Sequence, residues 1–152
     1  MPILTFVPRS APLQPPEPAA RLVDRLGAVA NEDHIVILGG GDPELMCDLL
    51  RAGAPRVTHL CAHERPEAGS ASLVLIPRVA SLDWLASALP AVRRLLAADG
   101  RVVVFAGGSG AAQTQVRRML TLHGFVPTRA SQRTDPRVLS AEVPMFGIRQ
   151  AI

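Results

Sequence analysis

The sequence has 152 residues, 48% of them hydrophobic and 19% charged, so the chain can bury one core and is too apolar to be broadly disordered. No apolar run approaches the roughly 18 residues that span a bilayer, and the prolines after Met1 do not fit a signal peptide, so we expect a cytoplasmic protein without a membrane partner. The net charge of +3 comes from scattered arginines, and there is no tyrosine, a pattern that argues against nucleic-acid binding.

Residues 1–16 are predicted to form an arm outside the folded domain. Residues 3–7 have the apolar content of a short strand, and the stretch from Pro12 to Pro18 is rich in proline, which favours an extended linker. The domain is expected over residues 17–152 and begins with a helix over about 18–29, where apolar residues recur on one side.

From residue 34 onward, short apolar runs alternate with helical patterns. Strands are predicted over residues 34–38, 56–60, 71–76, 101–105, 125–130 and 138–145, and helices over 42–52, 82–98 and 111–123. Apolar runs of this length are typical of buried parallel strands, and their alternation with helices predicts an α/β fold with a doubly wound, mostly parallel sheet. The last two strands share a polar connection, which predicts an antiparallel C-terminal edge.

A glycine-rich loop follows the first predicted strand and carries Gly39, Gly40 and Gly41. Ligands of open α/β sheets bind beyond the carboxyl ends of the strands, and glycine lets the backbone approach them closely. Asp42 and Glu44 place negative charge at the start of the next helix, where a phosphate would otherwise bind, so the loop favours a cationic ligand over a phosphate. Asp42 also fits the simpler role of helix N-cap.

Five segments follow one another in the order of a known set of motifs: Ile35–Leu45, Leu49–Thr58, Ala71–Pro77, Leu89–Phe105 and Val116–Phe125. Together they resemble the class I S-adenosylmethionine-dependent methyltransferases over about residues 30–147. The resemblance implies a Rossmann-like transferase with S-adenosylmethionine as cofactor and a small-molecule substrate as methyl acceptor. It assigns no catalytic residue, and it implies these cofactor contacts: Gly39, Gly40, Gly41, Asp42, Cys61, Ile76 and Pro77.

The sequence departs from the family's motifs at three of the matching positions. Ile37 replaces an acidic residue of the first motif, Pro43 replaces its third glycine, and Cys61 replaces the acidic residue that binds the ribose, although Glu64 lies close by. These changes leave three hypotheses: a methyltransferase, a non-catalytic methyltransferase-fold module (a pseudoenzyme) that dimerises or binds a partner protein, and a metal- or nucleotide-binding protein of another kind.

The link between the second and third predicted strands is also shorter than in the family. Ten residues, Cys61 to Ser70, stand where the family has a further helix and strand, so the resemblance implies a sheet that lacks one central strand–helix unit. The missing strand would leave an open sheet edge, which invites pairing. Either the segment Ile3–Val7 or a second copy of the chain would cover it, and we expect a homodimer.

Several other residues have two interpretations. His59, Cys61 and His63 alternate and would share one face of a strand, as zinc ligands or as ordinary residues of a strand end, and we assign no metal. Trp84 fits a packing residue or the lip of a substrate site. Asp83 is expected to cap the following helix, and Cys47 is expected to be a buried free thiol.

Overall fold

The computed structural model describes residues 32–39, 43–60, 67–106, 110–128 and 138–142. In chain order, the elements are β1 (Ile35–Leu38), α1 (Pro43–Arg51), β2 (Val57–Leu60), β3 (Ala71–Ile76), α2 (Leu82–Leu95), β4 (Leu96–Phe105), α3 (Gly110–Leu122), β5 (Val126–Pro127) and β6 (Val138–Glu142). This alternation confirms the predicted α/β class. The predicted arm and the helix over 18–29 lie outside the described residues.

The strands form one six-stranded sheet in the order β2-β1-β3-β4-β6-β5. β1 pairs in parallel with β2 and β3, and β3 pairs in parallel with β4. β6 is antiparallel to both β4 and β5. The sheet is therefore mostly parallel with an antiparallel C-terminal edge, as predicted. β6 lies between β4 and β5, so β5 is the edge strand although it comes before β6 in the chain.

The short link between β2 and β3 crosses from one side of β1 to the other. Both strands run parallel to β1 and flank it, so the ten residues Cys61 to Ser70 must return along the sheet and pass β1. Residues 61–66 of this link lie outside the described residues. Within the part of the chain that the structure describes, no further strand or helix stands between β2 and β3, as the resemblance implied.

Two apolar clusters cover the two faces of the sheet. The cluster on one face joins alternate strand residues, such as Val36 and Val74, to buried residues of α2 and α3. The cluster on the other face joins Ile35 and Leu73 to Leu45 and Leu49 of α1. Because successive strand residues point to opposite faces, this division places helices on both sides, as in a doubly wound sheet.

The described helices α1 and α3 end at glycines with positive φ. Gly53 (φ 99°) follows α1, and the Ala54 amide donates to the Leu49 carbonyl at 3.1 Å. Gly124 (φ 85°) follows α3 in the same way, and the Phe125 amide donates to the Leu120 carbonyl at 3.0 Å. These contacts satisfy carbonyls at the helix ends, so the two glycines stop the helices.

The boundary between α2 and β4 differs from the prediction. The helical pattern continues to residue 98, but Leu96 is already extended and pairs with Ala71 of β3. A Cβ atom on the buried Gly100 would lie 3.1 Å from the Ala71 carbonyl oxygen, so glycine permits this close pairing. Pairing with β3 therefore outweighs the helix preference of Ala97 and Ala98.

Two further predictions were wrong. Asp83 does not cap α2, because the N-cap is Ser81, whose hydroxyl accepts a hydrogen bond from the Trp84 amide at 3.0 Å. Cys47 is a free thiol but is exposed on α1 rather than buried, because the side of the helix that faces the sheet is occupied by Leu45 and Leu49. Among the described residues, the helices are too short or too polar to cross a membrane.

Candidate ligand-binding site

The order of the sheet reverses between β1 and β3. From β1 the chain moves to β2 on one side, and it then returns to β3 and β4 on the other side. In open α/β sheets the connections diverge at such a point and leave a crevice beyond the carboxyl ends of the strands, where ligands bind. Gly39 directly follows β1 and Pro77 directly follows β3, so both come at the point of the sheet where this fold class places its crevice.

Gly39 has a backbone conformation that other residues rarely adopt. Its φ is +103°, which turns the chain sharply after Leu38. A Cβ atom on Gly39 would lie 3.4 Å from Cη2 and 3.5 Å from Cζ2 of Trp84, and 3.8 Å from the Arg78 carbonyl oxygen. One side of the turn is therefore in close contact with the Trp84 side chain of α2 and with the segment after β3.

Trp84 lies at the same crevice, in the first turn of α2. Its amide donates to the Ser81 hydroxyl, and its carbonyl accepts a hydrogen bond from the Ser87 hydroxyl at 2.8 Å. The side chain is half-buried and packs against the core cluster that α2 and α3 share. The expected packing role is confirmed, and the contact with Gly39 adds a position beside the ligand crevice.

His59 ties β2 to the glycine turn. Its Nε2 lies 2.9 Å from the Gly39 carbonyl oxygen, and since a carbonyl only accepts, Nε2 carries the proton and donates. The sequence did not reveal this contact, because it depends on the register that places His59 opposite Ile37 in the parallel pair of β1 and β2. The half-buried His59 thus fits its interpretation as a strand-end residue that holds the turn.

The described residues include three of the predicted cofactor contacts. Gly39 and the half-buried Pro77 lie at the two sides of the crevice, whereas the side chain of Ile76 is fully buried in the core beneath it. The other four predicted contacts, Gly40, Gly41, Asp42 and Cys61, lie outside the described residues. Glu44 is exposed in the first turn of α1, where its carboxylate keeps negative charge at that helix start.

A second polar cluster lies at the opposite, amino end of the strands. The His34 ring contacts the Ser70 carbonyl oxygen through Nδ1 at 3.1 Å and the Thr58 hydroxyl through Nε2 at 2.8 Å. The His34 amide donates to Ser72 Oγ, which in turn donates to the His34 carbonyl. This buried histidine joins three strands and is structural.

The zinc alternative is not tested by the structure. No group of three or more His, Cys, Asp or Glu side chains is placed to hold a metal within the part of the chain that the structure describes. Cys61 and His63, two of the three candidate ligands, lie outside that part.

Comparisons with known proteins give a structural relative. No protein-family model matches the chain, and no curated protein matches it in sequence. Its structure is similar to geranyl diphosphate C-methyltransferase from Streptomyces coelicolor A3(2), solved with Mg²⁺, geranyl diphosphate and S-adenosyl-L-homocysteine. The match has a TM-score of 0.51 and 13% identity, and it covers 83% of this chain and 76% of that chain. The chain therefore has the Rossmann-like fold of S-adenosylmethionine-dependent methyltransferases.

Proposed function

We propose that this chain binds S-adenosylmethionine in the crevice between β1 and β3 and acts as a methyltransferase-like protein on a small-molecule substrate. The observation that carries the proposal is the turn at Gly39, with a φ of +103° at the point where the sheet order reverses. A sharply turned glycine backbone at this point favours the close approach of an adenosyl group to the strand end.

The chemistry of the described residues fits such a ligand. The indole of Trp84 offers an aromatic, apolar surface beside Gly39, which suits both a purine ring and a sulfonium cation. The Glu44 carboxylate at the start of α1 favours a cation over a phosphate. When bound, the cofactor supplies an activated methyl group. The residues of this chain bind that ligand and orient it between Gly39 and the end of β3.

Thermal unfolding with S-adenosylhomocysteine tests the proposal, because a ligand that binds only the folded chain raises its stability. At a concentration one hundred times the Kd, the gain is about 2.7 kcal/mol. We expect the unfolding temperature to rise with S-adenosylhomocysteine and S-adenosylmethionine, and to stay constant with ATP or NAD.

Two glycine variants locate the binding. Gly39→Ala should lose the ligand-dependent rise, whereas Gly110→Ala should retain it, since a Cβ atom on Gly110 meets nothing within 4 Å. No rise in the unmodified chain at millimolar S-adenosylhomocysteine would contradict the proposal.

A second candidate function is a non-catalytic module that dimerises through β2. β2 lies at one end of the sheet and pairs only with β1 among the strands that the structure describes. Two β2 strands related by a two-fold axis would continue the sheet and pair the same backbone groups in both copies. The changes at Ile37 and Pro43 favour this candidate over catalysis.

Light scattering after gel filtration, at chain concentrations from about 1 to 100 μM, distinguishes the two candidates when it is combined with the ligand experiment. Twice the chain mass without a ligand-dependent rise would support the module. A single chain mass across the range would contradict dimerisation.

A further inference from the structure

Trp84 lies beside the glycine turn, and no sequence motif assigns it a role there. Two atoms of its benzo ring, Cη2 and Cζ2, lie 3.4 and 3.5 Å from the position that a Cβ atom on Gly39 would occupy. The indole therefore covers this side of the Gly39 backbone, and no ligand passes between the two.

The indole is held in place from two directions. Ser81 caps α2 and fixes the first turn through the Trp84 amide, while the core cluster of α2 and α3 packs against the side chain. The position of the Trp84 indole is thus preset by the fold, so little side-chain freedom is lost when a ligand binds. The indole remains half-buried rather than buried, so part of its surface faces outward.

From this placement, we infer that Trp84 is a ligand-binding residue, which forms an aromatic wall of the crevice beside the glycine turn. The inference rests on the proposed function and adds a residue that the family resemblance did not assign. The ligand class that suits this wall carries a purine and a sulfonium or thioether, since each gains from contact with an indole.

The composition of the chain provides a direct optical test. Trp84 is the only tryptophan, and there is no tyrosine, so emission excited near 295 nm comes from this one side chain. We expect S-adenosylhomocysteine to change the intensity or the wavelength of that emission, with saturation at the Kd measured by calorimetry. Adenosine and methionine, added separately, show which half of the ligand contacts the indole.

Substitutions at position 84 measure how much the wall contributes. Removal of an aromatic side chain that stacks on a base weakens binding by at least about fivefold, so calorimetry should show that loss for Trp84→Ala. Trp84→Phe keeps an aromatic ring and should bind within about threefold of the unmodified chain. Far-ultraviolet circular dichroism checks that both variants are folded.

The outcomes separate this inference from the proposed function. If the unmodified chain binds S-adenosylhomocysteine but its emission is unchanged and Trp84→Ala binds equally well, the inference fails and the proposed function stands. If Trp84→Ala binds more tightly than the unmodified chain, the indole obstructs the crevice and the inference is wrong. If neither binds, the proposed function and the inference both fail.

Discussion

Gly39 combines a backbone requirement with a place at the candidate site. Alanine at this position needs a left-handed conformation, which costs about 1–2 kcal/mol, and its Cβ atom would touch the Trp84 ring. We predict that Gly39→Ala lowers the free energy of unfolding by this amount in urea titrations, in addition to its effect on ligand binding.

The control for that variant is Gly110→Ala. Gly110 begins α3, has no positive φ and has open space around it, so alanine should leave stability unchanged or raise it slightly. Equal losses in the free energy of unfolding for Gly39→Ala and Gly110→Ala would show that the Gly39 turn requires no special backbone conformation.

Ser81 gives a second prediction at the residue scale. Its hydroxyl accepts the Trp84 amide hydrogen and caps α2, so Ser81→Ala should lower the free energy of unfolding by about 1 kcal/mol. Ser87→Ala is the matched control, since the Ser87 hydroxyl only bonds a carbonyl within the helix. A loss at Ser87 as large as that at Ser81 would contradict the capping assignment.

The sequence predicted the roles of some single residues and missed those of others. Gly39, which follows Leu38, was identified because a turn after a strand has few alternatives. The capping residue was missed, because both Ser81 and Asp83 suit a helix start and only the backbone angles decide between them. The contacts of His34 and His59 were missed because they join separate strands.

Individual strands are joined by polar side chains as well as by their backbones. Thr58 of β2 meets the buried His34 ring just before β1, and Ser70 precedes β3. We predict that Thr58→Val lowers the free energy of unfolding by about 1–2 kcal/mol, because it leaves His34 Nε2 without this partner. Thr121→Val is the control, because Thr121 is exposed on α3 and bonds only the Arg117 carbonyl.

A double-mutant cycle with His34→Leu completes this test. If the two side chains interact directly, the double variant should lose less stability than the sum of the two single variants. Strictly additive losses would show that the His34–Thr58 hydrogen bond contributes nothing.

The start of β4 depends on Gly100. A Cβ atom there would lie 2.9 Å from the Leu96 side chain and 3.0 Å from the Ala97 carbonyl, in addition to its approach to Ala71. Gly100→Ala should therefore cost about 1–3 kcal/mol, although alanine normally favours folded structure. Unfolding in urea measures this loss, and a variant as stable as the unmodified chain would contradict the close pairing with β3.

Element positions could be predicted more fully than element contacts. The strand over 71–76 and the helix start at Pro43 follow from apolar runs and from local helix signals, and both match the structure. The end of α2 could not be predicted, since residues 96–98 have helical periodicity and only pairing with Ala71 makes them extended. For the same reason, the entry of β6 between β4 and β5 depends on contacts far apart in the chain.

At the scale of the whole molecule, the α/β class and the doubly wound sheet follow from the alternation of strands and helices. The ten-residue link between β2 and β3 is unusual for parallel strands, whose connections usually contain a helix, and its shortness was visible in the sequence. The glycine turn was recognisable from sequence, and Trp84 was one candidate for the lip of a substrate site. The contact between Trp84 and Gly39 was not recognisable, because it forms only after α2 folds onto the sheet.

Calorimetric titration of the chain with S-adenosylhomocysteine tests the central claim, that the crevice beside Gly39 and Trp84 binds an adenosyl ligand. We predict a saturable heat with one ligand per chain, which is lost in Gly39→Ala and retained in Gly110→Ala. The absence of heat up to millimolar ligand, or equal binding by both variants, would contradict it.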